Sequence, residues 1–435
     1  MLISSKIDGG INGIIKIPGD KSISHRSIII SSIAQGTSEI SNLLMSEDVM
    51  HTLNAFKLMG INIKNIDEKI IVEGRGLNGL KKPKKNIYLG NSGTSARLLT
   101  GLLASQNFDT IIEGDESLSK RPMKRILIPL ELMNGKFKDN KGFLPLNIYG
   151  KSLKNIEYKV PIPSAQVKSG IIFAALNING STKIIEDHIT RNHTEIMLKS
   201  FGANINVLNN AHQSIIDVKG KVELKSKNIE VPSDLSSSAF FIVAALINKN
   251  SKILLKNINI NPTRDGILRA LKMMGANIEI SNKKLINEEL VADLKVEYSE
   301  LNGCVLNDKM AKLMIDEYPI ISIAASFAKS PSIFKGLNEL KVKESNRLEL
   351  IRLNLERCGV ECKVSGDDLF INPQQKYHVK NCQIRTDFDH RIAMSFSIMA
   401  GLLNKTLTIL DSNSIKTSFP NFVKIFNKAG GKLIE

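Results

Sequence analysis

Two interleaved repeats with a period near 70 residues run through the whole sequence, and they constrain the fold more than any other feature. Each segment of the first series begins with a short polar turn, continues as a helix of small and apolar residues and ends in a strand. The six segments begin at Asp20, Asn91, Pro163, Ser233, Asp316 and Asp387, at intervals of 71, 72, 70, 83 and 71 residues. One structural unit should therefore recur six times.

The second series consists of amphipathic helices that stop at a glycine and lead into a β-branched strand. The glycines are Gly60, Gly135, Gly202, Gly275, Gly359 and Gly430, at intervals of 75, 67, 73, 84 and 71 residues. Apolar residues at i, i+3, i+4 and i+7 predict a helix, and the glycine predicts its C′ position. The two series predict six units of two helices and several strands, arranged as three plus three, with Ser226–Pro232 as the linker.

The first helix of each unit is hydrophobic nearly all round, which predicts that it is buried. Its amino-terminal end carries Ser, Thr, Asp or Asn, and for any single helix capping alone explains these residues. Helices related by a three-fold repeat would, however, point their amino termini the same way, so that their dipoles and N–H groups converge on an anion. Two lobes facing each other across such surfaces would form a cleft for anionic ligands, and the net charge of +16 is consistent with it.

The composition excludes several classes of protein. With 42% hydrophobic and 23% charged residues, the chain is neither disordered nor fibrous. Its longest apolar run, Ala239–Ile247, is too short to span a membrane, and without an apolar segment near Met1 we expect a cytoplasmic protein. The four cysteines form no CxxC pair, so we expect neither a disulfide framework nor a metal site. Since no GxGxxG follows a strand, we expect no nicotinamide or flavin cofactor.

The positive charge allows a nucleic-acid-binding alternative, but the composition does not favour it. The chain has 46 Lys and 13 Arg, and the lysines are scattered, as in any chain rich in Lys, Ile and Asn. An RNA-binding protein with similar repeats should interleave aromatic residues with its cations, whereas this chain has no Trp and six Tyr. The scarce arginines instead fall inside the polar motifs, where planar bidentate donors bind carboxylates and phosphates.

These motifs lie at the starts of the predicted helices. Pro18–Arg26 offers cations and hydroxyls beside free N–H groups, and Gly90–Arg97 lets the backbone approach an anion closely. Ser164–Lys168 offers neutral donors suited to hydroxyl groups, and Asp316 should stay ionised in the field of a helix dipole. Lys343, Glu344 and Arg347 should share one helical turn, although a solvated helix face explains that motif equally well.

Six of the motifs, in this order, resemble those of the 5-enolpyruvylshikimate-3-phosphate (EPSP) synthases, or 3-phosphoshikimate 1-carboxyvinyltransferases. They are GDKSISHR, GNSGTSAR, SAQVK, IDEYP, LKVKESNRL and DHRIAMSFS, and the similarity runs from Gly9 to about Phe422. SAQVK, together with RNHTE at 191–195 and NPTR at 261–264, resembles the second of the family's two sequence classes.

The resemblance implies an α/β (α+β) fold of two similar lobes, each built from three βαβαββ repeats as an inside-out α/β barrel, with the active site in the cleft between them. It implies that residues 1–20 join residues 231–435 in a C-terminal lobe that holds phosphoenolpyruvate and the catalytic carboxylates. Residues 21–230 would form an N-terminal lobe that holds shikimate 3-phosphate. The expected partners are these two small molecules, without nucleic acid or membrane, and the expected state is a monomer.

The implied reaction belongs to the shikimate pathway, which leads to chorismate and the aromatic amino acids. The 5-hydroxyl of shikimate 3-phosphate attacks C2 of phosphoenolpyruvate while C3 is protonated. The tetrahedral intermediate then loses phosphate as C3 loses a proton. Such a reaction needs a base, an acid and several cations, and the motifs contain all three.

The resemblance also implies roles for individual residues. Asp316 is the base for the 5-hydroxyl, Glu344 transfers the proton at C3, and Lys21 is the third catalytic residue. The residues implied to bind shikimate 3-phosphate are Lys21, Ser22, Arg26, Ser164, Ala165, Gln166, Arg191, Asp316 and Lys343. Those implied to bind phosphoenolpyruvate are Lys21, Gly93, Arg121, Gln166, Arg347 and Arg391. His390 would assist, and no cofactor or metal is implied.

Two features bear on how closely the chain follows the family. Thr417 stands where many members carry a lysine that binds phosphoenolpyruvate, and whether Lys416 replaces it is open. Gly93 occupies a position where some herbicide-tolerant members have alanine, so we expect glyphosate to compete with phosphoenolpyruvate here.

The nearest alternative is the related transferase that acts on UDP-N-acetylglucosamine. That family has Lys-Asn at the place of Lys21-Ser22, and usually a loop cysteine that the span 113–125 lacks.

Overall fold

The structure is a computed structural model, and it describes residues 1–210, 213–374, 376–403 and 405–435. The first strands in chain order are β1 Leu2–Ser4, β2 Asn12–Ile15, β3 Gln35–Ser41, β4 Asn62–Ile66, β5 Lys69–Arg75, β6 Ile87–Tyr88, β7 Thr110–Glu113, β8 Lys136–Asn140, β9 Phe143–Tyr149, β10 Glu157–Lys159, β11 Ser181–Glu186 and β12 Asn204–Asn209. The remaining strands are β13 Ser214–Lys219, β14 Ile229–Glu230, β15 Lys252–Asn259, β16 Ile278–Ile286, β17 Glu289–Glu297, β18 Val305–Leu306, β19 Ser332–Phe334, β20 Glu361–Ser365, β21 Asp368–Asn372, β22 Gln383–Ile384, β23 Leu407–Ile409 and β24 Leu433–Ile434.

The helices alternate with these strands. They are α1 Lys21–Ile33, α2 Glu47–Leu58, α3 Gly93–Ala104, α4 Glu116–Ser119, α5 Lys124–Leu132, α6 Ala165–Ala175, α7 His193–Ser200, α8 Leu235–Ile247, α9 Gly266–Met273, α10 Asp308–Met314, α11 Tyr318–Ser326, α12 Arg347–Arg357, α13 His390–Met399 and α14 Phe422–Lys428. Short 3₁₀ segments occur at Ile315–Glu317, Asn338–Val342, Ala400–Leu402 and Ser412–Thr417.

The chain forms two compact units, each with a hydrophobic core of its own. Unit 1 comprises Met1–Pro18, Pro232–Leu285 and Leu290–Glu435, and unit 2 comprises Gly19–Val231 with Ile286–Glu289. Within the described residues, each unit contains three four-stranded sheets with the same pattern of pairing. The sheets of unit 2 are β14-β3-β5-β4, β6-β7-β9-β8 and β10-β11-β13-β12, and those of unit 1 are β16-β17-β15-β2, β18-β19-β21-β20 and β22-β23-β1-β24.

Every sheet pairs two strands in parallel and joins them to an antiparallel pair. In the second repeat, β6 runs parallel to β7, and β9 lies antiparallel to both β7 and β8. The chain order β6-α3-β7-α5-β8-β9 is therefore a βαβαββ unit, with the small helix α4 inserted before α5. The prediction of six such units, three in each half, is confirmed.

Three sheets are completed by strands that lie far away in the sequence. The amino-terminal strand β1 pairs with β23 and β24, and β2 pairs in parallel with β15, with Asn12 opposite Lys252. In unit 2, the first repeat receives β14, whose Ile229 lies opposite Ile40. The stretch predicted as a linker, Ser226–Pro232, is thus partly a strand. The side chain of Ile229 is buried there, and the backbone of β14 pairs with β3.

The first helix of each repeat is buried nearly all round, as predicted. All thirteen residues of α8 are buried, and so are eleven of the thirteen residues of α1. A capping side chain accepts a hydrogen bond from a first-turn N–H in five of these helices, and the caps are Asp20, Ser92, Ser164, Asp234 and Asp389.

The fifth of these helices departs from the prediction. Helix α11 begins at Tyr318 after the 3₁₀ turn Ile315–Glu317, and its N-cap Glu317 makes no side-chain cap bond. Pro319 lies in the first turn and has no N–H, so fewer backbone donors need a cap there. Asp316 therefore lies in the turn before the helix and is not its cap.

The second helices stop where the glycines predict, with one correction. Gly60, Gly202, Gly275, Gly359 and Gly430 adopt positive φ angles after α2, α7, α9, α12 and α14. After α5, however, Asn134 takes this conformation, with φ 76°, and Gly135 follows it. Asparagine tolerates the left-handed region because its short polar side chain bonds locally, so the C′ position lies one residue earlier than predicted.

Candidate active site

In unit 2, most of the predicted binding residues lie at the amino-terminal ends of α1, α3 and α6. Side-chain contacts show that these three ends are close together. Arg26 Nη2 of α1 lies 2.9 Å from Ser169 Oγ of α6, and Arg97 Nη1 of α3 lies 3.0 Å from Gln166 Oε1 of α6. Three helix dipoles therefore act on one region of unit 2, as the repeat predicted.

Lys21 is the first residue of α1, and its ammonium group forms an ion pair with Asp48 of α2. The Asp48 side chain is 7% exposed, whereas that of Lys21 is 21% exposed. The buried carboxylate thus holds a solvent-accessible ammonium at the start of α1. Sequence reasoning missed Asp48, because an acidic residue in the first turn of a helix is explained by the helix dipole alone.

Arg26 lies one turn further along α1 and is buried. Its Nε donates to Thr194 Oγ1 at 2.6 Å, and its Nη1 donates to the carbonyl of Ser22 at 2.9 Å. Burial lowers the pKa of Arg26 to about 10, which leaves the guanidinium charged at neutral pH. In the described contacts, hydroxyl and carbonyl oxygens hold this cation at the start of the site.

Gly93 opens α3 beside two arginines. A Cβ on Gly93 would lie 2.8 Å from Arg97 Nη1 and 3.2 Å from Arg121 Nη1. Gln166 connects this turn to α6, because its Nε2 donates to Thr94 Oγ1 at 3.1 Å. Glycine therefore leaves room for guanidinium groups at the start of α3.

Arg121 is buried in the loop after α4. Its Nη2 bonds the side chain of Asn91 and lies 3.2 Å from Ser117 Oγ, while its Nη1 lies 3.3 Å from the Asn91 carbonyl. The loop that precedes α3 therefore orients this arginine.

The other predicted residues of unit 2 belong to α6 and to the segment before α7. Ser164 caps α6 through a bond from Val167 N at 3.3 Å, and Ala165 and Gln166 form the first turn. Arg191 is half-buried and lies two residues before α7. One turn into α6, Lys168 is fully buried with two carboxylates, a pairing that the sequence did not reveal.

In unit 1, Arg347 lies at the centre of a network of carboxylates. Its side chain is 1% exposed. Nη1 lies 3.1 Å from Asp316 Oδ1, Nη2 lies 2.6 Å from Glu344 Oε2, and Nε lies 2.8 Å from Asp389 Oδ2. Burial by itself lowers the pKa of Arg347, but Asp389, Glu344 and Asp316 raise it above its ordinary value. The guanidinium is therefore permanently charged and fixed by three anions.

Lys343 also approaches Asp316, with Nζ 3.4 Å from Oδ1. The prediction that Lys343, Glu344 and Arg347 share a helical turn is wrong, because α12 begins at Arg347, whereas Lys343 and Glu344 lie in a bend before it. The residues meet because the bend folds Glu344 back onto the guanidinium. The alternative of a solvated helix face is likewise wrong, since Arg347 is buried.

Asp389 connects Arg391, the other predicted arginine of unit 1, to this network. It caps α13 by accepting a bond from Arg391 N at 2.9 Å, and Ser345 Oγ donates to it at 3.0 Å. Arg391 Nη1 donates to Ser236 Oγ at 3.0 Å and to the Asp316 carbonyl at 3.1 Å. The starts of α8 and α13 and the turn before α11 thus lie together, and His390 is buried among them at the first position of α13.

Lys416 is exposed in the 3₁₀ segment Ser412–Thr417. It lines a surface cavity together with Leu2, Asn413 and Pro420, and none of Asp316, Glu344, Arg347 or Arg391 appears among the residues around that cavity. Within the described ranges, no cluster of three or more His, Cys, Asp or Glu could hold a metal ion. In that same part of the chain, no helix combines the length and the apolar character needed to cross a membrane.

Comparisons with known proteins agree on one family. The family model described as EPSP synthase (3-phosphoshikimate 1-carboxyvinyltransferase) matches residues 6–426. A 3-phosphoshikimate 1-carboxyvinyltransferase from Vesicomyosocius okutanii is 45% identical over 419 residues, which are 96% of this chain and 95% of that protein. The enzyme of the same name from Petrotoga mobilis is 45% identical over 423 residues, 96% of this chain and 97% of the relative. Among solved structures, an EPSP synthase from Acinetobacter baumannii superposes with a TM-score of 0.87 at 38% identity, covering 100% of this chain and 99% of that one.

Proposed function

The chain belongs to the EPSP synthase family, and we propose that the polar residues described in the two units carry out the family's reaction. It is a 3-phosphoshikimate 1-carboxyvinyltransferase, which transfers the enolpyruvyl group of phosphoenolpyruvate to shikimate 3-phosphate in the synthesis of aromatic amino acids.

The network around Arg347 is the observation that carries the assignment of the chemistry. The reaction needs a proton acceptor for a hydroxyl group and a separate proton carrier at a carbon atom. Asp316 and Glu344 both bond to one buried guanidinium, and both keep part of their surface accessible, with side chains 16% and 22% exposed. A fixed cation with two accessible carboxylates is an arrangement suited to holding an acid and a base in defined positions.

The steps can be written with these groups. The first step begins from the form in which Asp316 is ionised and Glu344 carries a proton. The 5-hydroxyl oxygen of shikimate 3-phosphate bonds to C2 of phosphoenolpyruvate as its proton passes to Asp316, and C3 takes the proton from Glu344. In the second step a C3 proton returns to Glu344, the C2=C3 double bond re-forms and the C2–O bond to phosphate breaks. The proton on Asp316 leaves with the phosphate, so both carboxyl groups return to their starting forms. Lys21 stabilises the charge on the departing phosphate. Lys343 Nζ lies 3.4 Å from Asp316 Oδ1, so this ammonium is placed to orient the carboxylate of the proposed base.

Binding is assigned by the charge and donor types of each unit. We propose that unit 2 binds shikimate 3-phosphate chiefly through Lys21, Ser22, Arg26, Ser164, Ala165, Gln166 and Arg191, with Lys343 and Asp316 from unit 1. The residues proposed to bind phosphoenolpyruvate are Lys21, Gly93, Arg121 and Gln166 of unit 2, with Arg347 and Arg391 of unit 1. The proposed location is the cytoplasm, and the proposed state is a monomer.

The alternative acceptor, UDP-N-acetylglucosamine, is separated by one assay. Phosphate release from phosphoenolpyruvate is measured with each acceptor on the wild type and on the Asp316→Ala variant. Release with shikimate 3-phosphate alone, sharply reduced in the variant, supports the proposal. Phosphate release with the sugar nucleotide would overturn the assignment of shikimate 3-phosphate as the acceptor. Equal release by the wild type and the Asp316→Ala variant would overturn the assignment of Asp316 as the base.

A further inference from the structure

Lys168 has no place in the reaction proposed above, yet it is among the most deeply buried charged residues of unit 2. Its side chain is 1% exposed, and Nζ lies 2.8 Å from Glu186 Oε2 and 2.8 Å from Glu195 Oε1. The same ammonium donates to the carbonyl of Thr190 at 3.3 Å. The three N–H groups of the Lys168 ammonium thus have acceptors inside the protein.

The three acceptors come from three different parts of the third repeat. Glu186 is the last residue of β11, Glu195 lies in the first turn of α7, and Thr190 belongs to the segment that joins them. Thr190 Oγ1 also donates to Glu186 Oε1 at 2.6 Å, which closes the segment on itself. Arg191 is the next residue, so the position of its backbone follows from these bonds.

Lys168 lies on the same helix as three proposed ligands of shikimate 3-phosphate. Ser164, Ala165 and Gln166 precede it by about one turn of α6. A second connection runs beside the first, because Ser169 Oγ lies 2.7 Å from Thr194 Oγ1, and both hydroxyls bond Arg26. The start of α6, the Arg191 segment and Arg26 are therefore parts of one hydrogen-bonded assembly.

Stability alone does not explain such a group. Burial by itself lowers the pKa of Lys168, but Glu195 and Glu186 raise it above its ordinary value, so the ammonium stays charged. A buried ion cluster is often no more stable than apolar residues of the same volume, because the charges lose their hydration. What it does supply is a defined geometry, since each bond fixes a direction.

We propose that Lys168 is a positioning residue for the shikimate 3-phosphate site. It sets the place of Arg191 relative to the first turn of α6 without contacting the substrate, because its ammonium is enclosed by Glu186, Glu195 and Thr190. This inference rests on the proposed function, in which these residues bind the phosphate and hydroxyl groups of the acceptor.

The test compares variants that keep the buried charges balanced. Lys168→Met alone leaves two buried carboxylates without their cation and risks misfolding. The triple variant Lys168→Met/Glu186→Gln/Glu195→Gln removes all three charges and keeps the volume. The matched control is Lys159→Met, because Lys159 is 60% exposed and bonds Asp187, the neighbour of Glu186, at 2.9 Å.

Two readouts distinguish positioning from a general structural effect. For the folded triple variant we expect the Kd for shikimate 3-phosphate alone, measured by calorimetry, and its KM to rise about 10- to 100-fold. The KM for phosphoenolpyruvate and kcat at saturating acceptor should change less than about threefold, since the network does not touch the reacting atoms. Lys159→Met should match the wild type in every constant.

Each other result has a defined meaning. A Kd for shikimate 3-phosphate within about twofold of the wild type in the triple variant would overturn the positioning role. So would equal losses in the KM values of both substrates, which indicate a general structural effect. Thr190→Val, which removes only the bond to Glu186, gives a second test that does not depend on the triple variant folding, and its Kd should rise. Failure of the wild type to bind shikimate 3-phosphate would overturn the proposed function instead.

Discussion

Arg347 Nη1 lies 3.1 Å from Asp316 Oδ1, although the two residues are 31 positions apart in the sequence. The same guanidinium lies 2.6 Å from Glu344, so the proposed base and the proposed proton carrier share one cation. A substitution of Arg347 should therefore alter the positions of both carboxylates at once. A substitution of Asp316 or Glu344 should leave the other carboxylate in place, because its own bond to Arg347 remains.

Arg347→Lys should abolish most of the activity although the charge is kept. A lysine offers one ammonium and cannot make the three directed bonds to Asp316, Glu344 and Asp389. We expect kcat to fall at least about 100-fold, because a misplacement near 1 Å has that effect. Phosphate release measures the loss, and urea unfolding shows whether the variant is folded. Activity within a few-fold of the wild type would contradict the role of the network.

Asp316→Asn and Glu344→Gln should each lose activity while the fold persists. Positioned acids and bases contribute about 10²- to 10⁴-fold, so we expect kcat to fall by that factor in each variant. The matched control is Glu349→Gln, because the side chain of Glu349 is 49% exposed on α12 and, in the described contacts, bonds only Arg352. A control that loses as much activity as the two variants would show that any carboxylate lost near α12 has this effect.

Gly93→Ala should weaken the binding of phosphoenolpyruvate. The new Cβ would press on Arg97 and Arg121, whose flexible ends can move away. The loss of one well-placed charged hydrogen bond is worth about 1.5–3 kcal/mol, so we expect the KM for phosphoenolpyruvate to rise about tenfold or more. The inhibition constant of glyphosate should rise with it. Gly9→Ala is the control, because nothing lies within 4 Å of the added atom.

The glyphosate expectation has its own measurement on the wild type. Inhibition at several phosphoenolpyruvate concentrations should show competition, with lines that meet on the ordinate of a double-reciprocal plot. An inhibition constant far above the KM for phosphoenolpyruvate would contradict it.

His25 should make the protein less stable below about pH 6.5. Burial lowers its pKa well below the ordinary value of 6.5, with further lowering by Lys21 and Arg26. At pH values between the lowered pKa of the folded chain and the ordinary value of 6.5, the unfolded chain binds a proton that the folded chain does not bind. The contribution of His25 to the free energy of unfolding is therefore fully present above pH 6.5 and is lost as the pH drops. One proton corresponds to a slope of about 1.4 kcal/mol per pH unit.

The His25→Asn variant isolates this effect. Urea unfolding of the wild type and the variant at pH 7.5, 6.0 and 5.0 gives two free-energy profiles, and the difference between them should narrow towards acid pH. The slope is compared rather than the absolute stability, because the substitution also breaks the bond from the imidazole to Thr52 Oγ1 at 2.8 Å. Parallel profiles would show that His25 does not take part.

Native protein should expose one fast-reacting thiol. Cys382 is exposed, whereas Cys304 and Cys358 are buried, and burial raises their pKa values to about 11 and about 12. Burial also raises the pKa of the partly buried Cys362 to about 12, so few of its thiolates are available. A thiol reagent should titrate one group quickly, none quickly in Cys382→Ser, and four after unfolding. Two fast groups in the wild type would place Cys362 in contact with solvent.

The parts of the fold that depend on local chemistry could be predicted from the sequence. Burial of α8 follows from its apolar run Ala239–Ile247, and the stops at Gly60 and Gly202 follow from the backbone freedom of glycine. Asn134, rather than Gly135, takes the C′ position after α5, because asparagine and glycine both tolerate a positive φ angle. Local signals therefore located the ends of the second helices to within one residue.

The candidate site was predictable only where its residues lie together in the sequence. Lys343, Glu344 and Arg347 were singled out by spacing, but that spacing assumes a helix, and the chain bends before Arg347 instead. The partners Asp48 and Asp389 are provided by tertiary packing, about which the spacing along the chain carries no information. A signal for Lys168 did exist, because a lysine in a helix that is otherwise apolar all round must find a buried anion.

The strands β1 and β2 are separated from their partners by most of the chain, since Leu2 pairs with Ile409 and Asn12 with Lys252. During synthesis these two segments emerge from the ribosome before the strands with which they pair, and their sheets cannot close until β15, β23 and β24 have been made. Unit 2 has all its strands as soon as β14 emerges, so it should fold first while the leading strands wait in an extended, unpaired form. The order of translation and the order of assembly are therefore reversed for the amino-terminal segment of this protein.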